Sequence, residues 1–257
     1  MKGINMRKSI YILILILFAS TCFAGGVTDK VKSVIARKNA AAPACDSCTG
    51  GLLFSWHCED VDVTAGTPCG CVASGGDSTA TANSTAAINN DHTAYDGSSH
   101  CDFPTAADNY YFTVASNDLI NPAAGTIIFY TKIQTYGTGA TLFYVYADAT
   151  NNIKVTMLGT DEVRITYKGD NVAVSASTTA ANLATNTWYK ITAKWSVTGV
   201  GGKYLYISVN DANAVDTASA ITAFTAALGA NSLKIGEGDS VAADFAIDNV
   251  KIYDSWL

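Results

Sequence analysis

IKVTMLGTDEVRITYK, residues 153–168, is the stretch that decides the fold. Ile153, Val155 and Met157 alternate with Lys154 and Thr156, and Val163, Ile165 and Tyr167 alternate with Arg164, Thr166 and Lys168. Successive side chains of a strand point to opposite faces, so each run has one apolar and one polar side. Gly159-Thr160-Asp161-Glu162 supplies turn residues between them. The pair predicts a hairpin with one face on a core and the other in water.

The same rhythm extends in both directions. Upstream, Thr126–Thr135 (TIIFYTKIQT) and Thr141–Ala147 (TLFYVYA) flank Tyr136-Gly137-Thr138-Gly139. Downstream, Trp188–Trp195 (WYKITAKW) and Tyr204–Val209 (YLYISV) bracket Gly199-Val200-Gly201-Gly202, followed by Leu233–Gly236 and Phe245–Tyr253 (FAIDNVKIY). Short strands at regular spacing, with no helical period between them, predict an all-β antiparallel sandwich.

Composition agrees. Apolar residues make up 49% of the 257, enough for a sizeable core, while charged residues reach only 15%, against a usual quarter. Ser, Thr, Asn, Gly and Tyr must therefore cover the surface, which suits an exported β protein. The formal charge is −6, and residues 1–24 carry Lys2, Arg7 and Lys8 with no acid, so their removal takes it to −9. Nucleic acid is excluded as a partner, because phosphate binding needs clustered Lys and Arg.

Those first residues read as an export signal. Met1–Lys8 is basic, Ile10–Ala19 (IYILILILFA) is uninterrupted apolar, and Thr21-Cys22-Phe23-Ala24 offers small residues for cleavage after Ala24. The apolar run falls well short of the roughly twenty residues that span a bilayer. Lipoprotein anchoring at Cys22 is the rival, but Ala19-Ser20-Thr21 fits a lipobox poorly. The expected location is secreted or cell-surface, with the periplasm as a variant, and with no transmembrane helix in the mature chain. Residues 25–50 read as a linker and Cys-containing segment.

Six cysteines follow the signal: Cys45, Cys48, Cys58, Cys69, Cys71 and Cys101. An even count in an exported chain predicts three disulfides, with the connectivity open. Cys69 and Cys71, two apart, are poorly placed to bond each other, so each is expected to reach Cys45, Cys48, Cys58 or Cys101. Two alternatives stand beside this: a zinc site from Cys45, Cys48, His57 and Cys58, and a redox pair at Cys45-x-x-Cys48. Residues 62–102 are Ser/Thr/Ala-rich with almost nothing to bury, and read as an insertion held down by crosslinks.

Four motifs in order resemble those of laminin-G-like, concanavalin A-like jelly-roll domains. Gly125-Thr126-Ile127-Ile128-Phe129-Tyr130 is similar to their "GTI-x-F-W" strand, and Asn186-Thr187-Trp188-Tyr189-Lys190-Ile191 to their Trp-led strand. Tyr204–Asp211 resembles their "L-x-L-Y-V-D-G" hairpin, and Ile247–Asp254 their closing "IDDVRIY" strand. The resemblance spans residues 51–257. It implies a jelly roll in which Leu52–Trp56 is the first strand and pairs with the last.

The fold hosts lectins, adhesion modules and glycoside hydrolases. Retaining hydrolases of this type set two Glu about 5 Å apart through E-x-D-x-x-E. The nearest stretches here, Glu59-Asp60-Val61-Asp62 and Glu237-Gly238-Asp239, lack the second Glu. A non-catalytic module that binds glycans or a cell-surface partner is therefore expected, with a structural assembly subunit as the alternative and a hydrolase behind both. Pyranose faces stack on aromatic rings, and Tyr110, Tyr136, Tyr144 and Tyr146 are the candidates for that role, whereas Trp188 and Trp195 are read as core. The resemblance also implies a structural Ca²⁺ where the first and last strands meet, with Glu59, Asp60 and Asp248 as ligands; the alternative is that Asp248 caps a turn or accepts backbone hydrogen bonds.

Overall fold

The computed structural model describes residues 51–58, 80–83, 86–89, 93–97, 99–105, 108–112, 119–135, 139–158, 162–179, 181–229, 231–238 and 244–257. All fall within a compact unit, Cys45–Leu257. Among them are fifteen strands and no helix: β1 Leu52–Trp56, β2 Ala80–Asn83, β3 Ala87–Asn89, β4 His100–Phe103, β5 Asn109–Phe112, β6 Ala124–Thr135, β7 Ala140–Asp148, β8 Asn151–Leu158, β9 Glu162–Gly169, β10 Val172–Ser177, β11 Trp188–Val200, β12 Lys203–Val209, β13 Ala212–Thr217, β14 Leu233–Gly238 and β15 Asp244–Tyr253. No helix among the described residues is long and apolar enough to cross a membrane.

The strands form two antiparallel sheets. The first runs β13-β12-β11-β6-β15-β4-β3, and the second β10-β9-β8-β7-β14-β5-β2. One edge of β15 is shared: β4 takes Phe245–Ile247 and β1 takes Val250–Tyr253. First and last strands thus pair, as the jelly-roll resemblance implies. The stretch 62–102 does more than fill a loop, since β2 joins the second sheet while β3 and β4 join the first.

Period-two alternation builds the core. Ile153, Val155 and Met157 of β8 and Val163, Ile165 and Tyr167 of β9 are fully buried. They belong to the same buried cluster as Ile127, Phe129, Ile191, Trp195, Leu205 and Ile252 of the first sheet. Fully burying a side chain of this size contributes about 1.5–3 kcal/mol. Trp195 lies across Gly125, where a Cβ would stand 2.3 Å from the indole; only glycine fits that crossing. Two polar atoms buried with the core find backbone partners: the Trp195 indole donates to Asn121 O at 2.9 Å and the Tyr167 hydroxyl to Pro122 O at 3.0 Å. Burial pushes the Tyr167 hydroxyl pKa well above its ordinary value.

Tight turns set the meander. Asp170-Asn171 joins β9 to β10 with φ of 47° and 65°, and Asn210-Asp211 joins β12 to β13 with φ of 50° and 57°. Two consecutive left-handed residues make the twist that two-residue hairpins need, and Asn and Asp tolerate it best after glycine.

Cys58 and Cys101 form a disulfide across Cα atoms 5.5 Å apart, both fully buried. It joins the end of β1 to β4, the two strands that share the β15 edge. This pairing removes Cys58 from the zinc alternative, because a disulfide sulfur is no longer the thiolate that zinc binds. Cys45, Cys48, Cys69 and Cys71 lie outside the described residues.

Candidate functional site

β7 leaves the core on its outer side with Tyr144 and Tyr146, two residues apart and therefore on one face. Their ring centroids are 5.5 Å apart, tilted by 46°. Register places Lys234 of β14 and Lys154 of β8 on either side of Tyr144, in one row across three strands. The two ammonium groups lie over the Tyr144 ring, Lys154 Nζ at 4.6 Å and Lys234 Nζ at 5.8 Å from its centroid. A ring's negative face attracts cations, so Tyr144 draws the two lysines together, while Tyr146 beside it is 39% exposed.

The surroundings of this face are cationic. Arg164 and Lys168 occupy outward positions on β9, with Arg164 Nε donating to Ser177 Oγ at 2.8 Å and Lys168 Nζ to Ala149 O at 2.9 Å. Acids stand at its margins. Glu162 begins β9, and the Asp148 carboxylate at the end of β7 accepts from Thr150 N and Oγ1 at 2.8 Å and Asn151 Nδ2 at 3.0 Å. Those hydrogen bonds, Thr150's first, hold the Asp148 carboxyl below its ordinary range. Charges separated by more than about 8 Å are largely screened at physiological salt. Lys154 and Lys234 are thus the cations set against Tyr144 on this face.

The sequence-derived candidates fall as follows. Tyr144 and Tyr146 come together on a strand rather than in a loop. Tyr110 lies on β5, in register with Ile235; Tyr136, Glu59 and Asp60 lie outside the described residues. Asp248 is fully buried and accepts from three backbone amides: Tyr95 and Asp96 at 3.0 Å on Oδ2, and Asn249 at 2.7 Å on Oδ1. Among the described residues no group of three or more His, Cys, Asp or Glu is placed to hold a metal. Of the carboxylates weighed for hydrolysis, Glu237 sits in register with Thr141, and Asp62 and Asp239 lie outside the described residues.

Trp188 differs from the core placement expected for it. Seven positions separate it from Trp195, an odd number, so the two indoles of β11 point to opposite faces. Only Trp195 is core. Trp188 lies half-buried on the outer face of the first sheet, with Lys132 Nζ 5.1 Å from its ring and Tyr95 and His100 against it edge-on. Parity along the strand was the signal for this. Lys154 and Lys234 also escaped the sequence reading, since Lys234 reaches Tyr144 through a pairing ninety positions away along the chain.

Two antiparallel sheets packed face to face, with first and last strands paired, define a β-sandwich of the jelly-roll class. The family model described as concanavalin A-like lectin/glucanases superfamily matches residues 105–257, and the chain belongs to that superfamily. No curated protein matches it. Solved structures similar to it include the binding domain of botulinum neurotoxin DC in complex with rat synaptotagmin II, at 13% identity and TM-score 0.59, covering 80% of this chain and 49% of that one. A botulinum neurotoxin type C structure, described as dependent on two ganglioside molecules for cell entry, matches at 14% identity and TM-score 0.58, with 80% and 49% covered. The neurotoxin DC binding domain in complex with SialylT matches at 13% and 0.57, with 82% and 50% covered. The chain thus spans about half the length of each, and the likeness is one of fold.

Proposed function

We propose that the protein is an exported, non-catalytic carbohydrate-binding module whose ligand stacks on Tyr146. The observation that carries this reading is the outward row Lys234–Tyr144–Lys154 beside an exposed Tyr146. An apolar ring face meets the C–H face of a pyranose. Neighbouring ammonium groups donate to its oxygens, and donation is stronger where the sugar carries carboxylate or sulfate. Roots of the two lysines stand about 10 Å apart, twice the strand spacing, a span suited to one acidic sugar residue. Membership of a superfamily that contains lectins supports the reading, as does the description of the solved neighbours as binding domains.

A glycan array probed with mature protein and with Tyr146→Ala tests it. Binding to acidic saccharides, lost in the variant, is the expected result. An array with no bound glycan, alongside isolation of the protein as a polymer, would move the reading to an assembly subunit.

A further inference from the structure

The outer face of the first sheet carries a second aromatic platform. Tyr95 lies flat on Tyr130, with ring centroids 3.4 Å apart and planes 15° from parallel, while Trp188 abuts it edge-on at 6.3 Å. Tyr95 is nonetheless 44% exposed, so one ring face is packed and the other is turned to solvent. The backbone beneath it is fixed. Asp248 accepts from the amides of Tyr95 and Asp96, and Thr93 O accepts from the Trp188 indole at 3.0 Å and from Lys132 Nζ at 3.4 Å. The Cys58–Cys101 disulfide closes the chain segment that contains this loop.

Asp96, the next residue along the chain, presents a carboxylate that is 55% exposed, with His57 Nδ1 3.6 Å from its Oδ2. A rigid aromatic face next to an exposed carboxylate matches a sugar's two needs: a flat apolar contact, and acceptors for adjacent hydroxyl groups. Holding both in place before binding removes the ordering cost that weakens flexible sites.

We infer that Tyr95 and Asp96 form a second saccharide site, on the sheet opposite Tyr146, which takes a neutral pyranose with vicinal hydroxyls. Its carboxylate accepts two hydroxyl hydrogens and repels acidic sugars, the reverse of the lysine-flanked face. Two sites on opposite sides of one sandwich let a single molecule bridge two glycan chains.

Isothermal titration of mature protein with neutral galactan, mannan and glucan hexasaccharides, and separately with an acidic oligosaccharide, tests the inference. Neutral binding is expected to fall tenfold or more in Asp96→Asn, since hydrogen bonds to a charged group are lost, and in Tyr95→Ala. Acidic binding stays within twofold in both variants and is lost in Tyr146→Ala. Asp96→Asn guards against misfolding, because its side chain lies at the surface; circular dichroism checks Tyr95→Ala. Neutral saccharides that fail to bind, or that bind both variants as they bind wild type, overturn the site. Acidic binding untouched by Tyr146→Ala would instead overturn the proposed face and leave this site standing.

Discussion

Replacing Cys58 and Cys101 together by alanine is expected to lower stability by about 4 kcal/mol. The bond closes a loop of sequence separation 43, and loop-closure entropy for that length gives this figure at 25 °C. A domain of roughly two hundred residues loses about 2–4 °C of Tm per kcal/mol, so the melting temperature should fall by about 8–16 °C. Because the crosslink acts chiefly on the unfolded chain, the urea m-value should rise as that ensemble expands. Calorimetry and urea titration of wild type and the double variant measure both quantities. The native bond should also resist mild reductant, since both sulfurs are fully buried. A shift under 2 °C with an unchanged m-value would refute the reasoning, and would mean that the unfolded chain is held compact even without the bond.

The remaining disulfides follow by elimination: with Cys58 and Cys101 paired, peptide mapping should find Cys45 and Cys48 bonded to Cys69 and Cys71, and a free thiol among them would contradict this. If calcium binds at the β1–β15 corner, EDTA should lower the wild-type Tm and calcium restore it, by about 2.7 kcal/mol at a hundredfold excess over Kd. Asp248→Ala should then be insensitive to both, and less stable throughout from the loss of three amide hydrogen bonds; a wild-type curve indifferent to EDTA would end the calcium proposal. Asp148 holds a depressed carboxyl through Thr150 and Asn151. Its stabilisation is present above the ordinary value of 3.8 and lost as pH falls through the lower folded value. The Tm gap between wild type and Asp148→Asn should therefore be larger at pH 7 than at pH 2, and an equal gap would refute it.

The sandwich was legible because alternation is local. Each of Ile153, Val155, Met157, Val163, Ile165 and Tyr167 lies where its parity puts it, and the four motifs locate β6, β11, β12 and β15 in order. Half of the Tyr144–Tyr146 face was legible for the same reason, and none of the Tyr95 site was. Tyr144 and Tyr146 share a face by spacing alone, whereas their lysines arrive from strands whose register depends on the whole fold. Tyr95 sits in a stretch of small polar residues that offers nothing to bury. Its anchors, Asp248 and Trp188, stand 153 and 93 positions away. The hydrogen bonds at Asp248 were one of the two readings its position allows, but buried carboxylates that collect backbone amides leave no local pattern, so Tyr95 and Asp96 could not be named as the donors.

A crystal structure of the mature domain soaked with an acidic oligosaccharide tests the central claim most directly. The account predicts a pyranose lying face-on over Tyr146, with its carboxylate or sulfate within about 2.7–2.9 Å of Lys154 or Lys234 Nζ. A saccharide bound elsewhere on the domain, with Tyr146 left bare, would contradict it.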